Sequence, residues 1–178
     1  MSAPTSTVQL FAALLTIVTM VAVAGRLVIA GLAPRHQAAA QVDTAIGQQR
    51  SLIVAVITGV ATAGSLYFSE VANYVPCTLC WYQRIAMYSL AAISITAAMR
   101  RETPTASFVV LAALGAPISA YHLLIERFPE LESGTCSTSV PCTYVWFEEL
   151  GFITLPLMAL TAFVAVLVTC LPVRKDHR

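Results

Sequence analysis

Hydrophobic and polar positions along this chain come in long blocks, without the short periods of a soluble fold. Five apolar stretches stand out. They are about Val8 to Ala33, broken only by Arg26; Ser51 to Ser69; Trp81 to Met99, with Arg84 its single charge; Thr103 to Ile125; and Leu150 to Val173. A helix needs about 20 mostly apolar residues to cross a bilayer. Inside hydrocarbon each segment must close its own backbone hydrogen bonds, so the blocks predict helices. The connections leave no room for a separate soluble domain. The pattern therefore predicts an all-α integral membrane protein, a four-helix transmembrane bundle with an additional N-terminal transmembrane helix. The extra helix and its loop occupy residues 1–50, and the four-helix unit residues 51–178. Pro117 and Pro156 fall inside the fourth and fifth blocks, where a missing backbone donor is expected to kink the helix. Pro172 marks the end of the last block.

Composition agrees with the pattern. Hydrophobic residues make up 58% of the 178 and charged residues 11%, against about 45–50% and about 25% in soluble domains. So little charge could not cover the surface of a soluble protein of this size. The net charge of +1 and the absence of a dense basic run exclude a nucleic-acid partner, which requires a row of cations against phosphates. Membrane lipid is the expected surroundings.

The sparse basic residues orient the helices, because Lys and Arg near helix ends stay on the cytoplasmic side. Arg35 and Arg50 lie between the first and second helices, Arg100 and Arg101 between the third and fourth, and Arg174, Lys175 and Arg178 after the fifth. The alternate connections hold Arg127 among Glu70, Glu126, Glu130 and Glu132. An outside N-terminus, an inside C-terminus and five crossings satisfy all of these. Ala22-Val23-Ala24 resembles a signal-peptide cleavage site, but no basic residue precedes the first helix, and cleavage would turn the cysteines inward. The first helix is read as a retained anchor, with Arg26 snorkelling to the inner headgroups. Tyr67, Phe68, Tyr74, Trp81, Tyr82, Tyr144, Trp146 and Phe147 cluster at the outer helix ends as an interfacial belt.

Five cysteines carry the candidate chemistry. Cys77-Thr78-Leu79-Cys80 immediately precedes an apolar helix, and Cys136 and Cys142 bracket a short outer loop. Cys170 stands alone at the other end and receives no function, since an isolated buried thiol usually serves as a small hydrophobe. The four outer cysteines admit three readings. They could be inert structural disulfides, expected in an oxidising compartment. They could be zinc ligands, although their spacing is loose and no histidine or polar scaffold is expected around them. Or they could be two redox pairs. A C-x-x-C at a helix N-terminus sits where the helix dipole favours a thiolate, the attacking species in disulfide exchange. Arg84 lies one turn below Cys80 on the same face; an arginine there could snorkel to the outer headgroups, but its place beneath a potential thiolate favours a function. These features favour redox chemistry over a staple, because so short a loop removes little chain entropy.

The stretch P-C-T-L-C-W-Y-Q-R at Pro76 to Arg84 resembles the DsbB/BdbC disulfide-bond-formation family. So do C-S-T-S-V-P-C-T from Cys136, E-E-L-G-F-I-T-L-P-L-M-A-L ending at Leu160, and Tyr121-His122 between them. The close spacing of the loop pair is nearest the short-loop, BdbC-like members, and the first helix lies outside the resemblance. The resemblance implies a bacterial inner-membrane oxidoreductase with its cysteine pairs facing the periplasm or exterior. It would reoxidise a DsbA-like, thioredoxin-fold partner and pass the electrons to a membrane quinone, ubiquinone or menaquinone. By position, Cys136 would form the mixed disulfide with the partner and Cys142 would be its mate. Cys77 would exchange with the loop pair, and Cys80 would meet the quinone beside Arg84, with His122 lining the quinone pocket. No metal is expected. A vitamin K epoxide reductase-like oxidoreductase is a second reading, although its loop cysteines precede the C-x-x-C. A membrane scaffold with inert disulfides is a third.

Overall fold

A computed structural model of the chain describes residues 3–32, 37–137 and 139–171. Its helices are α1 (Ala3–Leu32), α2 (Gln37–Leu66), α3 (Thr78–Arg100), α4 (Thr105–Arg127) and α5 (Leu155–Thr169). Among the described residues there is no strand beyond one isolated bridge, Glu149 with Ile153. Each apolar block thus becomes a helix, giving the predicted all-α membrane fold of a four-helix bundle plus an N-terminal helix. By length and composition, α1, α2 with the turn that follows it, and α4 can each cross a bilayer. Arg35, Pro172, Arg174, Lys175 and Arg178 lie outside the described residues.

Two boundaries differ from the sequence pattern. Helix α2 starts at Gln37, not Ser51, because the Ala- and Gln-rich stretch ahead of the apolar block consists of good helix formers. After Leu66 it widens into a π-helical turn, Tyr67–Val71, in which the Ala72 N–H donates to the Tyr67 carbonyl at 3.0 Å. Helix α5 is shorter than the Leu150–Val173 block. Leu150 and Gly151 take positive φ (55° and 79°), folding Glu149 back onto Ile153 before the helix can begin. Pro156 consequently sits in the first turn of α5, where its missing N–H breaks no helical bond. The expected Pro156 kink is therefore corrected. Pro117 does lie within α4.

Helices α2 to α5 close a bundle around Val54, Leu90, Phe108, Phe163 and Val166, while α1 packs outside it, mainly along α5. Lipid is as apolar as the core, so helix contacts depend on close fit and polar pairs. Thr58 and Ser94 share a buried hydrogen bond of 3.0 Å between α2 and α3. Gly115 of α4 lies against the Phe163 ring of α5. Val18, Val21, Ile85, Val110 and Leu114 point outward as a lipid-facing surface. At one end of the bundle Arg50 donates to Thr105 Oγ1 (3.0 Å) and Ser51 to the Glu102 carbonyl. That end also carries Arg100 and Arg101, and the opposite end carries both cysteine pairs.

Candidate redox site

The site is built from the start of α3, the last turns of α4 and the loop joining α4 to α5. Cys77 is the N-cap of α3, and its sulfur accepts the Cys80 backbone N–H at 3.2 Å. The Cys77 and Cys80 sulfurs lie 2.7 Å apart and unbonded, a small side-chain rotation away from the roughly 2.05 Å of a disulfide. The hydrogen bond from the Cys80 thiol, and then His122, hold the Cys77 thiol well below the usual thiol range against the opposing effect of burial. The sequence placed a favoured thiolate on the pair; the capping geometry assigns it to Cys77.

The loop pair is joined as the Cys136–Cys142 disulfide. Cys142 is fully buried and packs in one apolar cluster with Cys77, Leu79 and Ile125, whereas Cys136 is partly exposed at the cluster's edge. Several contacts hold the loop down. The Tyr121 hydroxyl bonds the Leu131 carbonyl and Ser133 (3.3 and 3.2 Å), Thr154 donates to Glu126 (2.8 Å), and Arg127 pairs with Glu148 (2.8 Å). Tyr121 and Arg127, read from sequence only as a motif residue and a stray outer cation, thus fasten the loop to α4.

His122 is buried where the two pairs meet. Its Nε2 lies 3.7 Å from the Cys77 sulfur and 3.1 Å from the Cys142 carbonyl, and its Nδ1 is 2.9 Å from Gln83 Nε2. The expectation that no histidine surrounds the cysteines is corrected, because α4 turns His122 inward between them. The Cys77, Cys80 and His122 ligand atoms lie within 4.8 Å of one another. Gln83, part of the W-Y-Q-R stretch but given no role from it, is the residue that orients the imidazole. A small pocket at this point is walled by Cys77, Cys80, His122, Glu126, Tyr144 and Trp146.

Arg84 is buried and does not snorkel. Its Nε and Nη2 donate to the Ser65 hydroxyl and carbonyl (3.0 and 2.8 Å), and its guanidinium lies 5.3 Å from the Trp81 ring centroid. Ser65 also accepts from the Tyr88 hydroxyl at 3.2 Å. A guanidinium has five N–H donors in a planar fork, so donors remain for an added acceptor. The half-exposed Trp81 and Tyr82 face the lipid beside it. A buried cation with spare donors thus stands next to an exposed aromatic surface.

The family model "Disulfide bond formation protein DsbB" matches residues 48–173. The chain belongs to the DsbB family. Similar relatives include a "Probable disulfide formation protein" of Oceanobacillus iheyensis, 41% identical over 71% of this chain and 89% of that protein. "Disulfide bond formation protein C" of Bacillus subtilis is 40% identical over 64% of this chain and 83% of its own length. No solved structure matches. The DsbB match takes in all four site cysteines, Arg84 and His122, and it starts near the end of the first α2 turns, leaving α1 outside.

Proposed function

We propose that this protein is a quinone-dependent thiol oxidoreductase that reoxidises a DsbA-like dithiol partner outside the cytoplasm. The observation that carries the reading is the packing of a bonded loop pair and an unbonded C-x-x-C pair in one cluster, with His122 touching both. Two inert staples would not need to share a histidine. The order of the pairs and the family membership favour this reading over a vitamin K epoxide reductase-like enzyme. The bundle is oriented with Arg50, Arg100 and Arg101 on the cytoplasmic side, as the bias of basic residues requires.

A partner thiolate attacks Cys136, the more exposed sulfur of the loop pair, and Cys142 leaves as a thiol. The second partner thiol then releases Cys136, so the partner becomes a disulfide and the loop pair a dithiol. The loop dithiol next reduces the Cys77–Cys80 disulfide by the same exchange, with Cys142 packed beside Cys77. His122 holds a proton or a hydrogen bond at the Cys77 sulfur during this step, and Gln83 keeps its ring in place. A quinone, when bound, accepts the two electrons and two protons that the Cys77–Cys80 dithiol gives up on closing again. Arg84 offers a fixed positive charge there without reorganisation, held by Ser65.

Cysteine replacements test the relay. With Cys142→Ser, Cys136 has no mate, and its free thiolate should attack the disulfide of an oxidised DsbA-like protein, leaving a mixed disulfide on non-reducing gels as the partner's other sulfur departs as a thiol. With Cys80→Ser the loop pair should still be reducible by that protein in its reduced form, while quinone reduction stops. Full turnover by Cys142→Ser would overturn the relay.

A further inference from the structure

The helix outside the family match makes a polar contact with the cysteine end. Helix α1 turns Thr5, Gln9, Ala13 and Thr16 toward the bundle, a spacing that forms one helix face. Gln9 is completely buried, and its Nε2 donates to the Tyr74 hydroxyl at 2.6 Å across 65 residues of chain. Its Oε1 has no hydrogen-bond partner among the described residues. A buried amide in an apolar helix is costly to keep, and a leucine there would pack without that cost. Tyr74 lies just before the C-x-x-C, and its ring stacks on Trp146 with centroids 4.8 Å apart and planes 14° from parallel. Trp146 in turn meets Tyr144 edge to face at 5.0 Å. Both Trp146 and Tyr144 wall the pocket that contains Cys77, Cys80 and His122. The Tyr74 ring also stacks on Phe68 of the π-helical turn, at 5.9 Å. A continuous line of contacts thus runs from α1 to the thiols.

We propose that Gln9 of the N-terminal helix is a positioning residue for thiol exchange, fixing Tyr74 and through it the Trp146–Tyr144 wall over the Cys77–Cys80 pair. This rests on the relay described above. His122 ties the Cys142 carbonyl to α4, and the aromatic stack ties the same loop to the segment ahead of α3, so the stack shares in setting how Cys142 meets Cys77. With the hydrogen bond lost, the Tyr74 ring can slide on Trp146 and the two pairs meet in line less often. In-line geometry at the attacked sulfur is what exchange depends on.

The test uses the full-length protein in nanodiscs. Dithiothreitol reduces the oxidised protein at the loop pair, and timed alkylation with mass analysis follows the electrons to Cys77 and Cys80. Gln9→Leu and Tyr74→Phe should each slow this transfer about five- to tenfold, while the quinone KM changes less than about twofold. The double variant should be no slower than the worse single one, because both break the same bond. In a Trp81→Phe background Trp146 is the remaining tryptophan, and its emission should shift and become more quenchable in both variants. If Gln9→Leu does not accumulate, Tyr74→Phe removes one oxygen and gives the same reading. Transfer within twofold of the parent in the variants, whatever the emission does, would overturn the inference. Absence of transfer in the parent protein would instead sink the relay.

Discussion

Arg84 shows what a single side chain carries in this site. A cation in a membrane segment would be expected to snorkel or to serve a function. Its burial and its two bonds to Ser65 speak against snorkelling and support the role proposed for it above. Arg84→Met should keep the protein inserted, since it removes a charge from the apolar region. A hydrogen bond to a charged group contributes about 1.5–3 kcal/mol, so quinone KM should rise or turnover fall about 10- to 100-fold. Exchange between the loop pair and a dithiol should change little. Steady-state kinetics with a soluble quinone analogue measure the first and alkylation trapping the second. Unchanged quinone kinetics would reduce Arg84 to a brace for α2 through Ser65. His122 lies at the same scale but was only partly legible. Its presence late in α4 was visible, while its contact with both cysteine pairs came from the inward rotation of that helix.

The helix contacts are where small residues matter. A methyl group added at Gly115 would overlap the Cζ edge of the Phe163 ring, and that ring is fully buried in the core. Gly115→Ala should therefore force α4 and α5 apart at an overpacking cost of about 1–3 kcal/mol. The α4–α5 loop and both its cysteines hang from these two helices, so thermal stability in detergent and thiol exchange should fall together. Equal melting temperatures for Gly115→Ala and the parent would show that the ring simply rotates away. By contrast Gly25, Gly31, Gly59 and Gly64 would meet nothing within 4 Å, and alanine at those positions gives the matched controls. The apolar blocks foretold these helices and their order. The late start of α5 was hidden, because Leu150, Gly151, Phe152 and Ile153 are as apolar as the helix they precede. Only the backbone reversal at Leu150 and Gly151 separates them from it.

Across the whole molecule, both cysteine pairs share one end and the described basic residues Arg50, Arg100 and Arg101 share the other. A membrane-impermeant thiol reagent on intact, reduced cells should label Cys136 first, since Cys77 and Cys142 are buried. In a Cys170→Ser background, Met99→Cys should label only after the membrane is opened, because Met99 is 80% exposed at the opposite end. Labelling of Met99→Cys but not Cys136 in intact cells would invert the topology.

The sequence by itself determined the number, order and membrane character of the helices, and which end of them holds the cysteines. Those properties follow from local blocks of apolar residues and from spacing along the chain, which need no knowledge of neighbours. The motif residues were equally legible, and they placed the chain beside its family before any coordinates. Tertiary structure alone decided that Cys77 caps α3, that Gln83 orients His122 between the pairs, and that Arg84 is held by Ser65. It also decided that Gln9 reaches Tyr74. Each of these contacts joins residues on different elements, except the cap, and depends on how helices rotate and approach one another. In a bilayer that choice is made by close packing and a few buried polar bonds, which a pattern of hydrophobicity does not encode.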